Sequence, residues 1–344
     1  MSQTTNLFIS YLQDKLDIVN GEMDKCFTCP SSSSKEELDK YLYSPLRDYS
    51  KNGGKRTRPV ICLLGCEACG GDIQDALPLA IAIENFQSAA LIHDDIADKG
   101  ELRRGVPCMH LTQGTGLAIN CGDLALASVC GDIIENNNID NTIKPKLLSE
   151  LTQMTIRTIE GQALDLGWVR DNRWDITPDN YLDMATHKTA YYSAATPLAI
   201  GAICANAPTA TVEALRTFGM KCGLSFQIQD DILNLFGDEE GQGKDFRCDI
   251  TEGKRTMLVV VALSKLDKAT KQELIDILCS HTQDKIKLDR AAQIIKDCGA
   301  LEQVQDFALN LTNDAKQAIS NVDLDEHLKD VLLSMADFFV NRSK

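Results

Sequence analysis

Apolar residues recur every three or four positions along almost the whole chain, and this spacing constrains the fold more than any other feature. One segment shows it with Leu147, Leu148, Leu151 and Met154. Such spacing places apolar side chains on one face of an α-helix, whereas the alternation typical of strands is scarce. We therefore predict an all-α fold.

Short clusters of Gly, Pro, Asn and Ser divide this pattern into about ten helical stretches. The clusters lie at residues 30–34, 52–54, 70–71, 105–107, 136–138, 171–178, 206–208 and 237–243. None of them is long enough to be an interdomain linker. We therefore expect residues 1–344 to form a single domain.

Charge and hydropathy exclude several classes of protein. The formal net charge is −15, which repels nucleic acid and anionic membranes unless a local basic patch is present. No apolar run reaches the ~20 residues of a membrane span, since even LPLAIAIENF is interrupted by Glu84. We expect no nucleic-acid partner and no integral membrane segment.

The cysteines point to a reducing compartment. Thirteen are scattered through the chain, and charges interrupt any signal-peptide core in its opening segment, so we expect a cytoplasmic protein. The pairs Cys26/Cys29 and Cys66/Cys69 offer four thiolates for zinc. The alternative is ordinary buried thiols, because Cys62, Cys66 and Cys69 recur at helical spacing in an apolar run.

Two acidic clusters end apolar helical segments. In LIHDDIAD, Asp94 and Asp98 are four residues apart and therefore share a helix face beside Asp95. An isolated cluster of this kind is as often a solvated helix end. Here the preceding segment is apolar enough to lie in the core, where carboxylates need a partner such as magnesium.

The second cluster, FQIQDDILN, places Gln227, Asp230, Asp231 and Asn234 on one face of another apolar helix. Two such faces, turned toward each other, would hold several magnesium ions. Magnesium usually completes its coordination with substrate phosphates. The sequence therefore predicts a diphosphate ligand.

Basic residues flank the acidic clusters. In KNGGKRTRP the glycines allow the backbone to approach an anion, and the cations suit phosphate recognition. For any single lysine, a solvated surface position is the alternative. The basic residues are Lys51, Lys55, Arg56, Arg58, Arg103, Arg104, Lys188, Lys244 and Lys254.

Taken together, these motifs resemble the trans-isoprenyl diphosphate synthases of the polyprenyl synthetase family. The resemblance rests on GGKRTRP, DDIADKGELRRG, EGQALDL, HKTA, FQIQDDILN and GKDFRCDITEGKRT, in family order. It implies a bundle of about ten core helices around a central substrate cavity. It also implies a magnesium-dependent, commonly homodimeric enzyme that condenses an allylic diphosphate with isopentenyl diphosphate.

The resemblance assigns roles to individual residues. The isopentenyl diphosphate would be bound by Lys55, Arg58, Gln87 and Arg104. The allylic diphosphate would be held by Arg103, Lys188 and Lys244, with Lys254 as a further substrate-binding residue, and the allylic cation would lie beside Thr189 and Gln227. The magnesium ligands would be Asp94, Asp98, Asp230 and Asp231.

One departure and three alternatives accompany the resemblance. Asn234 stands where many relatives carry aspartate, which puts a third carboxylate ligand there in doubt. His93 and Asp94 form the pair of HD-type phosphohydrolases, but no earlier histidine is present to complete that site. A terpene cyclase usually lacks the GGKRTRP segment, and a non-catalytic subunit typically loses an acidic motif or the arginine pair.

The residues before Asp94 carry a prediction of product length. At ~1.5 Å per residue, Ala90 and Phe86 lie below Asp94, with Phe86 about 12 Å down. In the family, aromatic residues four or five positions earlier stop chain growth, whereas here Ala89 and Ala90 are small. We expect a geranylgeranyl or longer product with Phe86 as the cavity floor. Alternatively, Phe86 packs in the core and another helix sets the length.

Overall fold

The structure, a computed structural model, describes residues 6–238 and 246–342 and confirms the all-α prediction. Its first half contains α1 (Leu7–Met23), α2 (Lys35–Leu38), the π-helical segment π1 (Asp39–Tyr43), α3 (Ser44–Lys51), α4 (Thr57–Ala68), α5 (Ile73–Ala97), α6 (Met109–Thr112), α7 (Thr115–Glu135) and α8 (Lys144–Arg170). It continues with α9 (Pro178–Ala185), the π-helical segment π2 (Thr186–Ala195), α10 (Thr196–Cys204), α11 (Thr209–Phe236), α12 (Cys248–Thr251), α13 (Met257–Lys265), α14 (Lys268–Cys279), α15 (Lys285–Asp297), α16 (Ala300–Ala318) and α17 (Glu326–Asn341).

The chain forms two compact units. Unit 1 comprises residues 6–155, 196–212 and 323–331. Unit 2 comprises residues 156–195, 213–322 and 332–342 of the described chain. The single domain predicted from the absence of linkers stays a prediction.

Unit 1 has an apolar core between α3, α5, α6 and α7. Small residues such as Ala89 on α5 and Cys121 and Ala125 on α7 pack there against Leu46 and Tyr49 of α3. The Asp72 side chain accepts a hydrogen bond from the Gln74 amide at 2.9 Å, so α5 begins at Ile73. These contacts fix the helix that ends in the first acidic cluster.

A two-strand hairpin in unit 1 was not predicted from the sequence. Strand β1 (Leu102–Arg103) pairs antiparallel with β2 (Val106–Pro107). The two turn residues, Arg104 and Gly105, have φ of 54° and 81°. A two-residue hairpin turn of this kind requires left-handed backbone at both positions, so Arg104 is held at the tip of a tight turn.

Unit 2 has its own apolar core. Side chains of α9, α11 and α13 to α16 form it, including Tyr181, Ile228, Leu258, Leu278 and Ile295. Glycines bring π2 and α11 close together, since a Cβ at Gly223 would lie 2.7 Å from the Cα of Ala190. The close approach allows polar side chains of the two segments to meet.

One described helix, α7, is long and apolar enough to cross a membrane by length and composition alone. The expectation that no apolar run reaches the length of a membrane span was wrong for α7, whereas the expectation of no integral membrane segment stays a prediction. Only 33% of its apolar window is buried in the structure. Ile119 and Ile134 are the large apolar side chains exposed on this helix.

Candidate active site

The first acidic cluster lies at the end of α5 in unit 1. Asp94 and Asp98 are partly exposed and four residues apart, and the Asp98 amide donates to the Asp94 carbonyl at 2.8 Å. Asp95 is 2% exposed and accepts a hydrogen bond from Arg103 Nε at 2.9 Å. Asp94 and Asp98 thus share one face, as predicted, whereas Asp95 holds the arginine hairpin against α5.

The hairpin brings the arginine pair to the GGKRTRP loop. Arg104 donates from a guanidinium nitrogen to the Gly53 carbonyl at 2.6 Å. A Cβ at Gly54, whose φ is +125°, would lie 3.0 Å from the Arg104 guanidinium carbon. The glycine therefore lets the arginine lie directly over the loop, where both present donors to an anion.

The other predicted isopentenyl-site residues also lie in unit 1. Lys55 is exposed, Arg58 is partly exposed at the start of α4, and Gln87 is buried on α5. The Gln87 Oε1 atom is buried without a hydrogen-bond partner among the described residues. Such an orphaned acceptor costs free energy and is typical of a binding site completed by water or ligand.

A chain of hydrogen bonds in unit 2 links the second acidic cluster to π2. The Thr189 hydroxyl donates to Gln227 Oε1 at 2.6 Å, and Gln227 Nε2 donates to Asp231 Oδ1 at 2.8 Å. The Tyr181 hydroxyl donates to the other Asp231 oxygen at 2.7 Å. The two carboxylate oxygens of Asp231 therefore orient Gln227 and Tyr181. The role of Asp231 as a metal ligand stays a prediction.

Asp231 is an unusual carboxylate. Burial raises its pKa, and the nearby Asp249 carboxylate raises it further, although the bonds from Tyr181 and Gln227 oppose this. Burial likewise raises the pKa of Asp249, against the lowering effect of Lys254. Asp231 therefore lies close enough to Asp249 for the two carboxyls to disfavour each other's ionised form, which a bound cation would stabilise.

Lys188 is fixed by a buried carboxylate. Its ammonium pairs with Asp165, whose side chain is 6% exposed. Burial raises the pKa of Asp165, but Lys188 and Lys254 outweigh it, so the net pKa is lowered and the carboxyl stays ionised. A Cβ at Gly161 would lie 2.1 Å from the Lys188 amide nitrogen, so only glycine allows π2 to lie this close to α8.

The remaining cationic residues of unit 2 have different environments. Lys254 pairs with Glu252 at 2.6 Å. Lys244 lies outside the described residues. Arg342, at the end of the chain, pairs with Asp230 and stacks on the Phe226 ring at 3.9 Å. Asp230 therefore already holds a cationic group.

The donor set fits magnesium. The ion prefers carboxylate oxygens, and Asp94 and Asp98 present two of them one helical turn apart. The guanidinium on Asp230 shows that its surroundings favour a positive charge. Within residues 6–238 and 246–342, one group of side chains lies close enough together to share a metal ion. It consists of Cys248, Asp249 and Glu252, and it differs from the aspartate pair because it mixes a thiol with oxygen donors.

The contacts of His93 and of the cysteines do not support the two alternatives, an HD-type phosphohydrolase and a zinc site. His93 lies against Gly122, where a Cβ would be 2.4 Å from its ring, and approaches Asp123 at 3.4 Å. The thiols of Cys29 and Cys66 contact backbone carbonyls, and burial raises the pKa of Cys66 to about 12. These are the surroundings of ordinary buried thiols.

The residues predicted to set product length differ in their surroundings. Ala89 packs in the core with α7, whereas Ala90 is partly exposed, as Asp94 is. Phe86 is 3% exposed. At ~100° per residue, Phe86 lies ~80° around α5 from Asp94, whereas Ile83 lies within ~20°. Product length stays a prediction.

Four residues that hold predicted site residues or their neighbours were not found from the sequence, among them Glu84, which pairs with Arg56 of the GGKRTRP segment. Asp165 lies in the EGQALDL motif, but no feature of the sequence pairs it with Lys188. Tyr181, Arg342 and Glu84 reach their partners across separations of 50, 112 and 28 residues. The one available signal was Glu84, a charge inside an apolar helix, which is rare unless paired.

The described chain thus combines an all-helical fold with two acidic clusters and a basic loop that contains glycines. The polyprenyl synthetase family model matches residues 39–295, and the chain belongs to this family. A short chain isoprenyl diphosphate synthase of Methanothermobacter thermautotrophicus is 37% identical over 290 residues, which cover 84% of this chain and 87% of that protein.

Solved structures show the same similarity. A geranylgeranyl pyrophosphate synthetase from Pyrococcus horikoshii Ot3 has a TM-score of 0.87 at 28% identity, covering 97% of this chain and 98% of that one. A geranylgeranyl pyrophosphate synthase from Corynebacterium glutamicum, complexed with isoprenyl diphosphate and magnesium, has a TM-score of 0.83 at 25% identity, covering 98% and 99%. The chain is accordingly a prenyltransferase of the isoprenyl diphosphate synthase class.

Proposed function

We propose that this enzyme condenses an allylic diphosphate head-to-tail with isopentenyl diphosphate in a magnesium-dependent reaction that releases diphosphate. The observation that carries the proposal is the contact between Arg104 and the Gly53–Gly54 loop, which joins two basic segments 51 residues apart. A terpene cyclase, which acts on one diphosphate, has no need of this second anion site.

In this proposal, the two diphosphates bind to different sets of side chains. Lys55, Arg58, Gln87 and Arg104 hold isopentenyl diphosphate. Lys55 and Arg58 belong to the loop segment and Arg104 contacts it, while Gln87 has a buried oxygen without a hydrogen-bond partner among the described residues. Arginine forks and lysine ammonium groups make charge-assisted hydrogen bonds to phosphate oxygens. Fixing the double bond in this way supplies much of the rate through orientation.

The resemblance to the family assigns Lys188, Arg103, Lys254 and Lys244 to the allylic diphosphate. Negative charge grows on this group as its C–O bond breaks, and cations fixed in advance stabilise it most effectively. The Asp165–Lys188 pair supports this role, because the buried carboxylate holds the ammonium in one place. Magnesium held by Asp94, Asp98 and Asp230, with Asp231 as a further candidate, would add Lewis-acid stabilisation of the same charge.

The Thr189–Gln227 pair would stabilise the allylic cation. The two oxygens are 2.6 Å apart, and Asp231 and Tyr181 fix the orientation of the amide. Uncharged oxygen dipoles stabilise a carbocation without capturing it. Substitution of either residue should therefore slow ionisation more than it weakens binding.

We further propose a product of geranylgeranyl length or longer. The small Ala90 next to the Asp94 face of α5 supports it, as do the names of the two structural relatives. A cytoplasmic location is part of the proposal, supported by thirteen free cysteines.

We propose that two copies of the chain associate through α7. Ile119 and Ile134 are 41% and 59% exposed on this helix. A Cβ at Gly116 or Gly131 would meet nothing within 4 Å, so these helix-weakening glycines have no packing role within one chain. They would allow a partner helix to approach closely.

Incubation of the purified chain alone with an allylic diphosphate, isopentenyl diphosphate and magnesium tests the proposal. We expect an organic-soluble prenyl product only when both substrates are present. Diphosphate release from the allylic substrate alone would indicate a cyclase. No product, under conditions in which a known synthase is active, would indicate a non-catalytic subunit.

A further inference from the structure

The Arg56 side chain is buried at the base of the GGKRTRP loop, between two residues predicted to bind diphosphate. Its guanidinium pairs with Glu84 of α5 at 2.7 Å, and the two side chains are 5% and 4% exposed. Neighbouring Lys55, in contrast, is exposed. The arginine therefore faces the interior while the adjacent lysine faces outward.

Three helices converge on this guanidinium. Besides Glu84 on α5, its Nε donates to Asn20 Oδ1 of α1 at 3.0 Å, and another nitrogen donates to the Ser50 carbonyl of α3. Arg56 also has a left-handed backbone with φ of 50° immediately before α4. A non-glycine residue adopts this conformation only where surrounding contacts impose it.

Packing alone does not hold the loop in place. A cavity of about 210 Å³ borders it and is lined by Asn20, Ser50, Gly53, Gly54 and Arg56, among others. Hydrogen bonds, among them those of Arg56, must therefore hold this side of the loop. The same carboxylate acts on Arg104, since partial burial lowers the Arg104 pKa and Glu84 opposes that effect.

A purely stabilising role does not explain the pair. Taking two charges out of water costs about as much as their attraction returns, so apolar residues of similar size are often as stable. An ion pair, unlike a pair of apolar residues, holds its side chains in one fixed geometry. Here that geometry sets the backbone from which Lys55 and Arg58 project.

We propose that Arg56 and Glu84 are positioning residues whose buried ion pair fixes the GGKRTRP loop for binding the diphosphate of isopentenyl diphosphate. This inference rests on the proposed function, because it assigns Lys55, Arg58 and Arg104 to that substrate. It predicts an effect on one of the two substrates only.

Three variants test the inference: Glu84→Gln, Arg56→Lys, and the double variant Arg56→Met/Glu84→Leu, which leaves no buried charge. We expect each to raise KM for isopentenyl diphosphate at least ~tenfold, since small misplacement of binding groups is costly. KM for the allylic diphosphate should stay within about twofold. The double variant and Arg56→Lys keep the test decisive if Glu84→Gln fails to fold.

Glu67→Gln is the matched control. Glu67 accepts from the Tyr11 hydroxyl at 2.6 Å and pairs with Lys15 at 3.3 Å, so it also ties α1 to a neighbouring helix, but away from the loop. We expect a lower melting temperature and unchanged KM values. Folded Arg56 and Glu84 variants with an unchanged KM for isopentenyl diphosphate, or with equal changes for both substrates, would overturn the inference.

Binding of inorganic diphosphate to the metal-free protein, measured by calorimetry, separates the two proposals. If the parent does not catalyse prenyl transfer but the Arg56 and Glu84 variants bind diphosphate more weakly than the parent, the positioning of the loop is supported and the proposed reaction is rejected. If the parent is active and its variants bind diphosphate and isopentenyl diphosphate as tightly as the parent, only the positioning role is rejected.

Discussion

Adjacent residues of the same type have different tasks in this protein. Asp94 is partly exposed on one side of α5, whereas its neighbour Asp95 is 2% exposed and accepts from Arg103. Arg103 is bound to that carboxylate, and Arg104 lies over the glycine loop. A rotation of ~100° between consecutive helix residues is sufficient to separate partly exposed Asp94, the predicted metal ligand, from buried Asp95, which holds Arg103.

Gly54→Ala should weaken isopentenyl diphosphate binding. The new Cβ would lie 3.0 Å from the Arg104 guanidinium, so the end of this side chain must shift by a few tenths of an ångström. We expect KM for this substrate to rise by up to about tenfold, the upper end corresponding to loss of one charge-assisted contact. Gly53→Ala is the control for a substitution at positive φ in the same loop, because its φ is +78° and its Cβ meets nothing within 4 Å. Equal effects of the two substitutions would show that strain, not Arg104, is responsible.

Asp165→Asn should reduce kcat/KM for the allylic substrate by about tenfold or more, because Lys188 loses the charge that fixes it. Melting temperature should also fall, since an ammonium is left next to a neutral buried amide. Glu160→Gln on the same helix removes only an exposed pair with Arg157 and should change neither quantity. Wild-type kinetics in a folded Asp165→Asn variant would contradict the role of this pair.

At the scale of helices, regular elements were predictable and short ones were not. The spacing of Asp94 and Asp98 placed both on one face because α5 is a long, regular helix. The hairpin carrying Arg103 and Arg104 has strands of two residues, too short to leave a periodic signal. The contact between Tyr181 and Asp231 depends on tertiary packing, which spacing along the sequence does not encode.

The α5 helix carries the prediction of product length. Supplied with farnesyl diphosphate and excess isopentenyl diphosphate, the parent enzyme should make products longer than fifteen carbons (~C20) because Ala89 and Ala90 are small. Phe86→Ala should lengthen them further if Phe86 is the floor. Ile83→Ala is the comparison, since Ile83 is fully buried and lies closer to the Asp94 side of the helix.

Product analysis separates these outcomes. Longer products from Ile83→Ala but not from Phe86→Ala would show that Ile83 forms the floor of the cavity. Unchanged products from both variants would assign chain length to another helix. A parent that stops at farnesyl diphosphate would contradict the prediction.

At the scale of the whole molecule, the exposed face of α7 predicts a dimer. Ile134→Glu should place a charge in the interface and yield monomers in light scattering, because burying an unpaired carboxylate is costly. Ile286→Glu is the control, since Ile286 is 78% exposed on α15 and lies outside that face. A parent that is monomeric at micromolar concentration, or an Ile134→Glu variant that stays dimeric, would contradict this interface.

The dependence of prenyl transfer on a divalent metal tests the central claim most directly. The measurement is the rate of diphosphate release from both substrates, with magnesium, with excess chelator, and after magnesium is restored. We predict loss of turnover on chelation, full recovery on restoration, and a decrease of several orders of magnitude in Asp94→Ala and Asp230→Ala. Undiminished turnover in excess chelator would contradict the account.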